Sequence, residues 1–155
     1  MKIYLAGPEV FLPDPFAKGA SLKKLCTQYD AEGIFPMDNE LGGEELANME
    51  PFRGPSMDVG TAYEMGVGAA LGKIVVGYSN NQISFVEKTH AACVLRRAKD
   101  GQLRDENGMA VEEFGDGEVK LVDNLMISCG VEKLCDTAQE AIKTAVELFK
   151  TRIPI

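Results

Sequence analysis

Four short runs of β-branched and aromatic residues, each closed by turn formers and separated by stretches of helical spacing, constrain the fold of this 155-residue chain more than any other feature. The first, Lys2-Ile-Tyr-Leu-Ala6, stops at Gly7-Pro8, and residues 33–36, 74–78 and 130–134 read the same way. Short apolar runs bounded by turns fit strands buried on both faces of a parallel sheet. Between them, residues 16–30 place Leu22, Leu25 and Cys26 at helical spacing, residues 57–72 form a second helix with Gly72 as its C-cap, and residues 82–97 a third. Asp136 is expected to cap a final helix through Lys150, with Ala138, Ala141, Ile142, Ala145, Val146 and Phe149 on one face. Asp123-Asn-Leu-Met126 opens a short helix, since Asp and Asn are good N-caps, and the Gly- and acid-rich residues 99–119 read as a long loop or hairpin. Strands alternating with helices predict an α/β fold, a parallel sheet with helices on both faces, formed as a single domain over residues 1–155.

Charge and cysteine usage exclude several functions. A net charge of −8 and a pI near 4.7 argue against binding a nucleic-acid backbone, which needs clustered Lys and Arg. The one basic cluster, Arg96-Arg97 with Lys99, is short and followed by acids, as expected of a solvated loop or helix end. Cys26, Cys93, Cys129 and Cys135 form no CxxC pair and His90 has no partner at zinc-ligand spacing, so neither a metal nor a cofactor is expected. No GxGxxG or Walker A sequence supports a dinucleotide or P-loop reading. Met1 leads directly into a strand, and no apolar run approaches the roughly 18 residues of a membrane span, so a reduced cytoplasmic protein is the expectation.

Ligands of such folds sit outside the carboxyl ends of the strands. Glu9 and Asp14 follow the first strand, Asp38-Asn39-Glu40 the second, and Asp58 and Glu64 flank the start of the helix that precedes the third. In Met57-Asp-Val-Gly-Thr-Ala-Tyr-Glu-Met-Gly66, Glu64 stands among Gly, Ala and Met, where a carboxylate is costly to bury unless paired or used. Two carboxylates at the mouth of a sheet point to acid/base or nucleophilic chemistry. Taken alone, each residue has a plainer role: Tyr4 as a core tyrosine, Asp58 and Asn124 as helix caps, Asp38-Asn39 as an Asx turn, Glu64 as a helix-surface acid.

At these residues the sequence resembles the nucleoside 2-deoxyribosyltransferase family. The matching segments are residues 2–8, Phe35-Pro-Met-Asp-Asn-Glu40, Pro51-Phe-Arg-Gly-Pro-Ser-Met-Asp58 with the helix after it, and Asp123-Asn-Leu-Met126. The resemblance implies a flavodoxin-like or Rossmann-like three-layer sandwich. It also implies transfer of a 2-deoxyribosyl group between nucleobases, with deoxynucleosides and free nucleobases as partners and slow hydrolysis as a side reaction. Glu64 matches the nucleophile that holds the sugar as an ester, Tyr4 the tyrosine that orients it, and Asp58 the aspartate on the sugar hydroxyls. Asn124 matches a residue that reaches from a neighbouring subunit to the 5′-hydroxyl, which implies a homo-oligomer, at least a dimer, with shared sites. Asp123, Met126 and Gly7 fall in the same motifs and are expected beside substrate, as is Glu40 on the base side. Two alternatives stay open: a 2′-deoxynucleoside 5′-monophosphate N-glycosidase and a non-catalytic nucleotide-binding module.

The chain departs from the family between residues 41 and 51, where the resemblance calls for a further helix and a central strand. That strand would bring the acid that protonates the departing base; no residue here clearly matches it, and Glu44 and Glu45 are only weak stand-ins. Its loss would open a gap of about 10 Å, two strand spacings, between its neighbours. The expectation is therefore either a break in this stretch or a repaired sheet in which the strand at residues 2–6 pairs directly with that at 74–78.

Overall fold

A computed structural model of the chain describes residues 1–38, 55–113 and 121–152. The fold is α/β. Strand β1 (Lys2–Tyr4) pairs in parallel with β2 (Glu32–Ile34), Tyr4 lying opposite Ile34. Helix α1 (Pro15–Gln28) makes the crossover between them; Asp14 caps it by accepting the Ala17 N–H, and Pro15 stands at its first position, where no N–H is needed. Helix α2 (Val59–Ala70) leads to β3 (Val76–Tyr78), which pairs in parallel with β6 (Lys133–Cys135), Tyr78 lying opposite Cys135. Helix α3 (Phe85–Ala92) starts with a capping box between Ser84 and Glu87. The short helix α4 (Leu125–Gly130) and the last helix α5 (Ala138–Arg152) complete the chain.

The core forms where α1 and α5 cover β1. Cys26 of α1 and Ile142 and Val146 of α5 bury themselves with Ala31, and Ile3, Leu5 and Leu25 pack around them. On α5 the buried residues Ala141, Ile142 and Val146 belong to the predicted face, whereas Phe149 is over a third exposed. Gly72 follows the C-cap Leu71 at φ +65°, a left-handed position that ends α2 without a Cβ penalty.

Four details differ from the sequence reading. The last helix is capped by Thr137, whose Oγ1 accepts the Glu140 N–H, and not by Asp136, whose own N–H bonds the Glu140 side chain. The last strand begins at Lys133 rather than at Gly130, because α4 continues through Gly130. Arg96-Arg97 is neither loop nor helix end but strand β4 (Arg96–Arg97), antiparallel to β5 (Leu103–Arg104), with the Arg97 guanidinium forked onto Glu113 at 2.8 and 2.9 Å. Finally, among the described residues β1 pairs only with β2 and β3 only with β6, so the direct pairing of the first and third strands expected of a repaired sheet is not formed. The stretch 41–51, in which a break was the other expectation, lies outside the described residues, as does Glu40.

Candidate active site

Tyr4 is the last residue of β1 and Tyr78 the last residue of β3, so both hydroxyls stand at the carboxyl edge of their strand pair. Each donates to a glutamate supplied by the other half of the molecule. The Tyr4 hydroxyl donates to Glu64 Oε1 at 2.7 Å, Glu64 being carried on α2 before β3. The Tyr78 hydroxyl donates to Glu9 Oε1, Glu9 being carried on a single 3-10 turn (Pro8–Phe11) after β1. These two reciprocal tyrosine–glutamate bonds cross from one parallel pair to the other.

Desolvation of its hydroxyl, then the Glu64 carboxylate it donates to, push the Tyr4 phenol up to about 12. Burial, then Glu9, push Tyr78 up as well. Both phenols therefore keep their protons at neutral pH and act as fixed donors. Glu64 is half-buried, and among the described residues its Oε2 accepts no hydrogen bond.

Asp58 is the N-cap of α2: its Oδ2 accepts the Thr61 N–H at 2.9 Å and the Thr61 hydroxyl at 3.1 Å. Six residues further, Glu64 lies nearly two turns into the same helix, so one rigid element carries both carboxylates. Gly7 is extended, and a Cβ there would stand 2.0 Å from Glu9 Oε2; the glycine gives the Glu9 carboxylate its room.

Asn124 caps α4, its Oδ1 accepting the Ile127 N–H at 3.1 Å. Asp123 ties this helix to the loop ahead of Asp58 by accepting from Ser56 Oγ at 2.5 Å and from the Met57 N–H at 2.9 Å. A cavity of about 290 Å³ beside that tie is lined by Ser56, Tyr78, Ser79, Lys88 and Asp123 among others. Burial lowers the Lys88 ammonium below its usual range, against the pull of Asp123, and its Nζ donates to the Val122 carbonyl at 2.8 Å. A wider groove of about 720 Å³ follows Ala62, Met65, Gly66 and Ala69 of α2, and both Asn124 and Met126 line it. At 100° per residue, that face of α2 is turned away from Glu64. Met126 is 79% exposed.

Of the predicted site residues, the structure thus brings Tyr4 onto Glu64 and sets Asp58 at the head of the same helix. It places Gly7 against Glu9, Asp123 beside Tyr78 in the smaller cavity, and Asn124 and Met126 along the groove on the other face of α2; Glu40 is not described. Sequence reasoning noted Glu9 only as an acid after a strand and missed Tyr78, although a tyrosine closing a buried strand needs a partner for its hydroxyl. It also missed the Ser56–Asp123 bond, which joins positions 67 residues apart.

An α/β fold with a tyrosine-held glutamate at the carboxyl edge of its strands defines the class; comparison with known proteins gives the family. The model of the nucleoside 2-deoxyribosyltransferase family matches residues 45–126, just over half of the chain. The chain is also similar to the solved structure of a 2-desoxiribosyltransferase from Leishmania mexicana, with a TM-score of 0.67, 31% identity, and coverage of 94% of this chain and 97% of that one. An uncharacterized protein of Schizosaccharomyces pombe is 27% identical over 188 positions, which take in 97% of this chain and 89% of the relative. Those 188 positions exceed the 155 residues of this chain, so the relative carries residues with no counterpart here. The chain belongs to the nucleoside 2-deoxyribosyltransferase family, and its family and fold are those of an enzyme of the deoxyribosyltransferase type. Among the described residues no helix is long and apolar enough to cross a membrane.

Proposed function

We propose that this protein moves a 2-deoxyribosyl group from one nucleobase to another through an ester on Glu64. The observation that carries the reading is the 2.7 Å bond from the Tyr4 hydroxyl to Glu64 Oε1, which fixes one carboxylate oxygen and leaves the other unoccupied among the described residues. As the C1′–N bond breaks, its electron pair leaves with the base and the sugar becomes oxocarbenium-like. Glu64 Oε2 then bonds to C1′ from the opposite face. A second base displaces the ester from the face the first one left, so two inversions retain the configuration; water in its place gives slow hydrolysis. Oδ1 of Asp58 is free of the Thr61 contacts and suits a sugar hydroxyl. Substrates in this reading are a deoxynucleoside and a free nucleobase.

Incubation of a 2′-deoxynucleoside with a different free base is the test. Formation of the second deoxynucleoside is expected. Release of base with no exchange would favour an N-glycosidase, and no reaction at all would favour a binding module.

The same reading includes a homo-oligomer. Val59, Tyr63, Val67 and Leu71 recur every four residues along α2 and past its end, and all four are exposed, as is Met126 nearby on α4. A row of large apolar side chains on a helix is the usual mark of a covered surface. Asn124 lines the groove on the face of α2 turned away from Glu64, which suits a residue that serves a neighbour's sugar rather than its own. Light scattering is expected to give a dimer or larger, and Tyr63→Asp is expected to yield a folded protein that is smaller in solution and slower in exchange. A fully active monomer would contradict shared sites.

A further inference from the structure

We propose that Glu9 is the acid that protonates the departing base and the base that later takes the proton from the incoming one. This rests on the transfer reading and gives the base-protonating role to a described residue of the site. Three observations carry it. Glu9 comes from the turn directly after β1, so it opens onto the same edge as the Tyr4–Glu64 pair. Its Oε1 is held by the Tyr78 hydroxyl at the end of β3, in the other strand pair. Its Oε2 lies over Gly7, where only the absence of a side chain leaves it room.

The second tyrosine–glutamate pair therefore repeats the arrangement of the first but with the partners exchanged between the halves. A retaining glycosyl transfer needs two carboxyl groups on one sugar, one as nucleophile and one as proton donor. Tyr78 cannot be that donor, since its phenol is held protonated and is already spent on Glu9. Asp58 has a different place in this reading: Thr61 holds its Oδ2 at the head of α2, and its Oδ1 is the oxygen assigned to a sugar hydroxyl. In the first half-reaction the proton on Glu9 Oε2 passes to a ring nitrogen of the base as the C1′–N bond breaks and the Glu64–C1′ bond forms. In the second, the incoming base gives its N–H proton back to Glu9 as its nitrogen bonds to C1′ and Glu64 leaves.

The test compares leaving groups. Single-turnover release is measured for the better of 2′-deoxyadenosine and thymidine, whose bases leave well only when protonated. It is measured in parallel for 4-nitrophenyl 2-deoxyribofuranoside, whose leaving group departs as a stable anion. Glu9→Gln keeps the oxygen that accepts from Tyr78 but has no acidic proton; it is expected to slow the nucleoside by about 10²–10⁴-fold and the nitrophenyl glycoside by no more than about threefold. Gly7→Ala, which leaves Glu9 in place but drives its carboxylate aside, is expected to show the same selective loss. Equal slowing of both substrates by Glu9→Gln, or no slowing of the nucleoside, would overturn the proposal. A wild-type protein silent on all three compounds would instead overturn the transfer reading beneath it.

Discussion

Replacing Glu64 with alanine is expected to reduce base exchange by on the order of 10³-fold or more while leaving the protein folded. Loss of the carboxylate removes the atom that bonds to C1′, and in this account the other described acids of the site have other places: Asp58 at the helix head with Oδ1 toward a sugar hydroxyl, and Glu9 on the base, held by Tyr78. Loss of the same carboxylate costs the fold little, because its one described partner, the Tyr4 hydroxyl, belongs to a residue that is 52% exposed and can bond water instead. Exchange rates should therefore collapse without a comparable fall in melting temperature. Near-normal exchange in Glu64→Ala would remove the glutamate from the mechanism, and gross unfolding would make it a structural residue.

The second large effect falls on stability. Phe35 is 2% exposed, and its ring lies against Gly19 of α1, so close that a Cβ on that glycine would stand 2.6 Å from it. The backbone around it is fixed in turn: the Phe35 N–H donates to Asp38 Oδ2 at 2.9 Å, and Lys23 reaches the other oxygen of Asp38 at 2.6 Å. That clamp keeps the chain from collapsing into a void. Phe35→Ala is expected to cost about 3–5 kcal/mol. Against a total stability of about 5–15 kcal/mol for a domain of this kind, that is a large share. The melting temperature should fall by on the order of 10 °C, read by circular dichroism or calorimetry. A fall of only a degree or two would mean that the α1–β2 contact is not part of the core.

How far the sequence revealed this arrangement depends on the range of the interaction. Local signals were read correctly where one residue type answers one backbone need: Asp58 at the head of α2, Asn124 at the head of α4 and Gly72 past the end of α2. Where two adjacent residues could meet the same need, the choice was not legible, and Thr137 rather than Asp136 caps α5. Glu64 stood out because its neighbours on the helix are small and apolar. The Glu9–Tyr78 bond did not, because it joins positions 69 residues apart and depends on how two strand pairs face each other. Sheet completion is of the same long-range kind. The alternation of strands and helices pointed to parallel pairing, but not to which strands pair, nor that β1–β2 and β3–β6 would remain unpaired with each other among the described residues. Instead the halves are linked by side chains, through the two tyrosine–glutamate bonds and the packing of α1 on α5.

The central claim is a covalent sugar on Glu64, and the most direct measurement is mass spectrometry of the protein quenched during turnover of a 2′-deoxynucleoside in the absence of a second base. The account predicts a gain of one 2-deoxyribosyl group, located by peptide mapping to the α2 segment that contains Glu64, lost on adding a free nucleobase and absent in Glu64→Ala. Exchange that proceeds at full rate with no adduct, or an adduct on a peptide without Glu64, would contradict it.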